Sequence, residues 1–193
     1  YEHFGARHLG VKGPGALTQL EEGVMGVLPL DLSADPIYWN IQGIKMYMAR
    51  VNQGAGGAGT FAKIGLSIEN AATETLSRIL GVWISQPASS SEIGIYRCAR
   101  TDFSSDPGIY GYGTDTRIPE SQHSQSIMLN SSDNTYPGQS LGQVVAGVDT
   151  ISSTMMPLVV SPAQAIYFIN WNDDETMNIT MTWVEIPAYK AEL

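Results

Sequence analysis

A chain of 193 residues with 43% hydrophobic content can bury one sizeable core, and 20 glycines and 10 prolines with only 15% charged residues describe a loop-rich β protein rather than a helical one. A formal net charge of -9, with no Lys or Arg between Ile118 and Tyr189, gives a surface that repels phosphate, which excludes nucleic acid as a direct partner of the folded domain. No apolar run reaches the length of a membrane span, and the single Cys98 excludes an intrachain disulfide.

Residues 1–20 read as an extended arm. Gly5, Gly10, Gly13, Pro14 and Gly15 oppose any regular element, and His3, His8, Arg7 and Lys12 face Glu2 alone, which is too few cations for a nucleic-acid tail. Residues 21–193 then form one domain. Gly23 to Leu32 gives a short strand, and Ile37 to Val51 a longer one with Ile44, Met46 and Met48 on a shared face. The run Gln53 to Gly59 is glycine-rich but lacks the Lys-Ser or Lys-Thr of a phosphate loop, so it reads as a flexible hairpin loop. In Phe61 to Glu69, Ala62, Ile64, Leu66 and Ile68 alternate with Lys63, Gly65, Ser67 and Glu69, the pattern of a half-exposed strand. Asn70 or Thr73 is placed to cap a brief helix carrying Leu76, Ile79 and Leu80 on one side, after which Leu80, Val82 and Ile84 alternate as a strand.

Ile93 to Ala99 returns as a strand that holds Cys98, read as a buried thiol. Thr101 to Pro119 is the longest irregular stretch, and long loops are where function concentrates. Asp102, Asp106 and Asp115 within it are the carboxylates that calcium would take, although their spacing is not that of an EF-hand and a solvated loop is the simpler reading. Ser124 to Asn130 and Leu141 to Asp149 follow as strands, and Met155 to Val160 leads past Ser161-Pro162 into the last elements. The clearest signal is last. Ala165 to Trp171 and Met177 to Trp183 flank a polar run and read as a β-hairpin at the centre of the fold. Met177, Ile179, Met181 and Trp183 are core anchors by their alternation with Asn178, Thr180 and Thr182. The first arm is apolar on both faces, as for a strand covered on both sides or lying inside an interface; on the interface reading Tyr167, Ile169 and Trp171 are expected to face an assembly neighbour, with Tyr110 and Tyr112 of the long loop added to that interface.

Chemistry finds little footing. The three histidines, His3, His8 and His123, include no His-x-His pair, so no transition metal is expected, and no Gly-x-Ser-x-Gly elbow supports a serine nucleophile that would have to recruit His123. No cofactor is expected and the chain reads as non-enzymatic. About eight or nine main strands, no βαβ alternation and at most one short helix leave an antiparallel β-sandwich of jelly-roll type.

An acidic jelly roll with a glycine-rich arm, long loops and strands apolar on both faces resembles the structural proteins of icosahedral viruses and phages, over Gly23 to Ile186. The resemblance implies a capsid, minor capsid or decoration protein located in the virion. Its partners would be copies of itself and other particle proteins, with no membrane. The arm lacks the basic charge of many members, which argues against genome contact. The rival is an extracellular jelly-roll module, either a trimeric receptor ligand or a glycan binder that stacks sugars on Tyr110, Tyr112, Trp39, Trp83, Trp171 and Trp183.

Overall fold

Every strand pair whose register is defined is antiparallel, and the pairs form two sheets packed face to face. The computed structural model describes residues 45–54, 56–85, 91–103, 108–116, 118–147, 152–154 (backbone only) and 158–187. The arm read for residues 1–20, the boundary at residue 21 and the strand read for Gly23 to Leu32 lie outside them. The chain divides into two units, Tyr1–Lys45 and Met46–Leu193. The described residues belong to the second, apart from Lys45.

The strands are β1 (Lys45–Gln53), β2 (Phe61–Ile68), β3 (Thr75–Ser85), β4 (Ser91–Ala99), β5 (Ile109–Tyr110), β6 (Tyr112–Gly113), β7 (Ser126–Asp133), β8 (Gln139–Ala146), β9 (Ser152–Thr154), β10 (Val159–Val160), β11 (Gln164–Asn170) and β12 (Met177–Pro187), with one 3-10 turn at Arg100–Asp102. The first sheet runs β10-β3-β12-β1-β6, with β9 also on β3, and the second runs β5-β7-β2-β11-β4-β8. From β1 to β4 each connection crosses to the opposite sheet. The chain then stays in the second sheet from β4 to β8, apart from the short β6, which pairs with β1 in the first, and the connections β8 to β9, β10 to β11 and β11 to β12 cross again, β9 and β10 both lying on β3. That path, with β1, β12, β3 and β9/β10 facing β2, β11, β4 and β8, is a jelly roll.

This topology corrects the final hairpin. β11 pairs with β2 and β4 in one sheet, while β12 pairs with β3 and lies beside β1 in the other. The polar connector 171–176 therefore spans the gap between sheets, about 10 Å, instead of closing a turn between paired strands. Both arms are central all the same, and Met177, Ile179, Met181 and Trp183 are fully buried on the face their alternation assigns. The glycine-rich run after β1 likewise joins the two sheets, with Gly57 and Gly59 at φ 111° and 81°.

Three local expectations change with the packing. Leu76, Ile79 and Leu80 lie on β3 rather than on a helix. Thr182 pairs with Gly81 and Trp183 with Ile79, so Leu80 is an extra residue. That bulge switches the inward face from Ser77 and Ile79 to Val82 and Ile84. In β1 the inward residues are Tyr47, Ala49 and Val51, and Met46 and Met48 share the outward face with Arg50 and Asn52, which the charge at Arg50 dictates. β2 is buried on both faces, Lys63 included, because the second sheet has cover on its outer side.

Two cores result. The larger fills the sandwich with Tyr47, Val51, Ile64, Leu66, Ile84, Ile95, Phe168, Met181 and Trp183 among others. The second lies on the outer face of the second sheet and contains Cys98, Phe103, Ile127, Leu129, Ala165, Tyr167 and Ile169.

Candidate functional site

The outer face of the second sheet is built from the register. Tyr167 sits between Gly65 of β2 and Tyr96 of β4, and Ile169 between Lys63 and Gly94. Gly65 has no room for a side chain: a Cβ there would lie 2.8 Å from the Tyr167 Cβ. Two pieces of the long excursion between β4 and β8 roof this face. The first follows the turn at Arg100–Asp102 and lays Phe103 against Tyr167, with ring centroids 5.2 Å apart. The second runs from Asp133 to Gly138, where the Tyr167 hydroxyl donates to the Pro137 carbonyl at 2.7 Å and Lys63 Nζ donates to Asp133 and, at 2.8 Å, to the Thr135 carbonyl.

Tyr167 and Ile169 are thus fully buried by their own chain, and the expectation that they face an assembly neighbour is corrected. Two apolar faces on a strand require cover, but a loop of the same chain supplies it as well as a partner does. Burial pushes the Tyr167 hydroxyl well above its usual pKa, helped by the Cys98, Tyr96 and Asp133 charges. Burial, then the Asp102 charge, pushes the Cys98 thiol up to about 11, so it stays protonated at neutral pH and is no nucleophile. Trp171 is only half-buried, at the rim.

The other candidates, Tyr110 and Tyr112, lie on a strand that zips one side of the sandwich. Ile109 and Tyr110 pair with Met128 and Ile127 of the second sheet, and Tyr112 and Gly113 pair with Met48 and Tyr47 of the first. The pivot is Gly111, buried over Trp183. Its N–H donates to Ser124 Oγ at 2.7 Å, Ser124 Oγ donates to the Ser126 carbonyl, the Ser77 and Ser126 hydroxyls bond each other, and the Ser126 N–H donates to Glu185 Oε1 at 2.8 Å. This buried polar chain ties the crossing strand to β7, β3 and β12. Tyr47 packs on Trp183, with ring centroids 6.3 Å apart, and burial followed by the Glu185 charge pushes its hydroxyl up to about 12.

A Cβ on Gly111 would lie 2.4 Å from Trp183 Cζ2 and 3.0 Å from Tyr47 Cβ, both in the main core. Gly111→Ala is therefore expected to cost about 1–3 kcal/mol by overpacking. A urea midpoint equal to that of the parent protein would show that the crossing strand can shift freely.

The crossing strand leaves apolar surface outside. Tyr112 is 64% exposed, Tyr110 44%, and Ile109 and Met48 each 42%. His123 stacks on Tyr110 at 4.1 Å between centroids, and its Nδ1 meets the Ser124 carbonyl at 3.0 Å rather than any serine hydroxyl. The serine-histidine pairing that a hydrolase would need is not made by His123.

Asp102 is exposed in the turn after β4 of the second sheet, Asp115 is half-buried just after β6 of the first, and Asp106 lies outside the described residues. Among the described residues no group of three or more His, Cys, Asp or Glu is gathered to hold a metal, and the calcium trio read from the sequence includes Asp106, which lies outside them. A cleft of about 260 Å³ near one end of the sandwich is lined by Arg97, Leu158, Val160, Gln164 and Ile166, and by no carboxylate, imidazole or thiol. The residues named for one sugar-stacking platform are scattered. Trp183 is fully buried, Trp83 and Trp171 belong to different sheets, Tyr110 and Tyr112 lie on the crossing strand, and Trp39 is outside the described residues.

No protein-family model matches the chain, and a comparison with curated proteins finds no match. No helix among the described residues is long and apolar enough to cross a membrane.

Proposed function

We propose that this chain is a non-enzymatic structural protein that assembles with copies of itself into the shell of a virus or phage particle, as major, minor or decoration subunit. The observation that carries the reading is the exposed strip of Met48, Ile109, Tyr110 and Tyr112 along the side where β5 and β6 close the sandwich. Aromatic and Met side chains at this exposure favour an interface, since Tyr and Met are enriched there and Lys and Glu depleted. The jelly-roll path supports the reading too, because its two stiff sheets leave the strip on a side rather than on a loop tip.

The strip replaces Tyr167 and Ile169 as the contact surface. Native mass by analytical ultracentrifugation tests it. A large symmetric assembly is expected, and Tyr110→Ser with Tyr112→Ser should shift it to small species while leaving the unfolding midpoint nearly unchanged, as both side chains are exposed. A parent protein that sediments as a monomer at micromolar concentration would sink the proposal. Saturable signals on a glycan array from such a monomer would favour the binding-module reading instead.

A further inference from the structure

The rim of the second core holds a second surface that the assembly reading does not use. Trp171 stands directly across from Glu92, whose carbonyl accepts the Trp171 N–H at 3.1 Å, so both side chains project from the outer face of the second sheet. The indole leans over Gly94, where a Cβ would lie 2.7 Å from Nε1, and Glu92 and Tyr96 flank that glycine on the same face. Phe61 from β2, Tyr96 from β4 and Tyr136 from the roofing loop surround the indole at 5.4, 6.1 and 5.4 Å between centroids. Their planes meet it at 72°, 71° and 73°. None stacks face to face with it. Tyr136 is exposed, while Phe61, Tyr96 and Trp171 are half-buried, so every ring keeps surface toward solvent.

Sugar rings stack on flat or coplanar aromatic surfaces, and orthogonal rings do not offer one. A ring face attracts a compact cation that comes within about 6 Å of its centroid, and these rings, upright around the indole, keep surface toward solvent on which one can rest. The charge matches. The Glu92 carboxylate is exposed and makes no hydrogen bond or ion pair among the described residues. The cations on this sheet are already engaged: Lys63 with Asp133, and Arg97 with the Gln139 side chain at 2.6 Å. We infer that the aromatic box of Phe61, Tyr96, Tyr136 and Trp171, with Glu92 at its rim, binds a small quaternary-ammonium ion of the choline class.

The experiment titrates choline chloride into the full chain and follows the indole N–H resonance of Trp171 by NMR. The neutral isostere 3,3-dimethyl-1-butanol and a soluble oligosaccharide serve as comparison ligands. Choline should give a saturable shift, and the isostere should bind about tenfold more weakly, because it keeps the shape and loses the charge. Glu92→Gln and Tyr136→Leu, both at exposed positions that leave the cores intact, should each weaken choline by about three- to tenfold. The proposal is overturned by the absence of a saturable choline shift. Equal affinity for the isostere would make the box merely apolar, and an oligosaccharide that shifts the same resonance where choline does not would make it a sugar site. Either result also overturns the inference, and neither bears on the assembly.

Discussion

Trp183→Ala is expected to lower the unfolding free energy by about 3–5 kcal/mol, a large share of the roughly 5–15 kcal/mol that holds a domain together. The indole is fully buried on a strand with neighbours on both sides, and it touches two further elements. It packs on Tyr47 of β1, supports the Gly111 pivot of the crossing strand, and continues the row of Met177, Ile179 and Met181. The cavity would open where the crossing strand joins the two sheets. The buried chain from Gly111 through Ser124 and Ser126 to Glu185 would lose its support with it. Urea unfolding measures the loss. The turn 173–175 is the comparison. Its ties include the Gly59 N–H to Asp173 and the Asp174 N–H to the Thr60 carbonyl, at 3.0 and 3.2 Å, and the Asn172 side-chain amide to Glu175 at 3.3 Å, all polar contacts outside the cores, so shortening it should cost far less. Comparable losses from both changes would mean that Trp183 is not the central anchor of the sandwich.

What the sequence made legible was the periodicity of single strands. Alternation in 177–183 placed Trp183 in the core, and apolar residues on both faces of 165–171 correctly required cover on each side. Alternation does not encode which strand lies alongside. Two adjacent strands joined by a short polar run read as a hairpin, yet each belongs to a different sheet because their pairing partners lie far away in the chain. The bulge at Leu80 was equally invisible, since one extra residue shifts the inward face without altering composition. Lys63 misled for a related reason. A lysine at every-second-residue spacing signals water, unless its counter-charge arrives from elsewhere, and Asp133 lies 70 residues on. The aromatic box had no spacing to betray it, as its four rings come from β2, β4, the roofing loop and the residue after β11. The one available hint was Gly94, a glycine inside a strand, which marks a close approach.

Asp133→Ala is expected to cost about 3–5 kcal/mol, because it leaves the Lys63 ammonium buried without its counter-ion. Lys63 is 1% exposed, and its remaining acceptors are the Thr135 carbonyl and hydroxyl. The reverse change should be milder: Asp133 is 28% exposed and can regain water, and Lys63→Met keeps most of the volume packed beneath Phe103. Pairing Lys63→Met with Asp133→Ala should therefore recover much of what Asp133→Ala loses, since a buried ion pair replaced as a unit is often close to neutral. The pair also predicts an acid limb. Partial burial pushes the Asp133 carboxyl up, but hydrogen bonds from Lys63 and from the Thr135 hydroxyl and N–H, together with the Lys63 charge, outweigh it and hold the group below the usual carboxylate range. The unfolded chain therefore binds this proton more tightly than the folded one. The corresponding stability is present above the unfolded value, about pH 3.9, and is lost as the pH falls through the lower folded value. Asp133→Asn should flatten that part of the stability-versus-pH curve and leave the limb above neutrality unchanged. A variant that keeps the parent's acid slope, or an Asp133→Ala loss no larger than the roughly 0.5 kcal/mol of an ordinary surface change, would show that the roof over Tyr167 and Ile169 is held by its aromatic contacts and not by this ion pair.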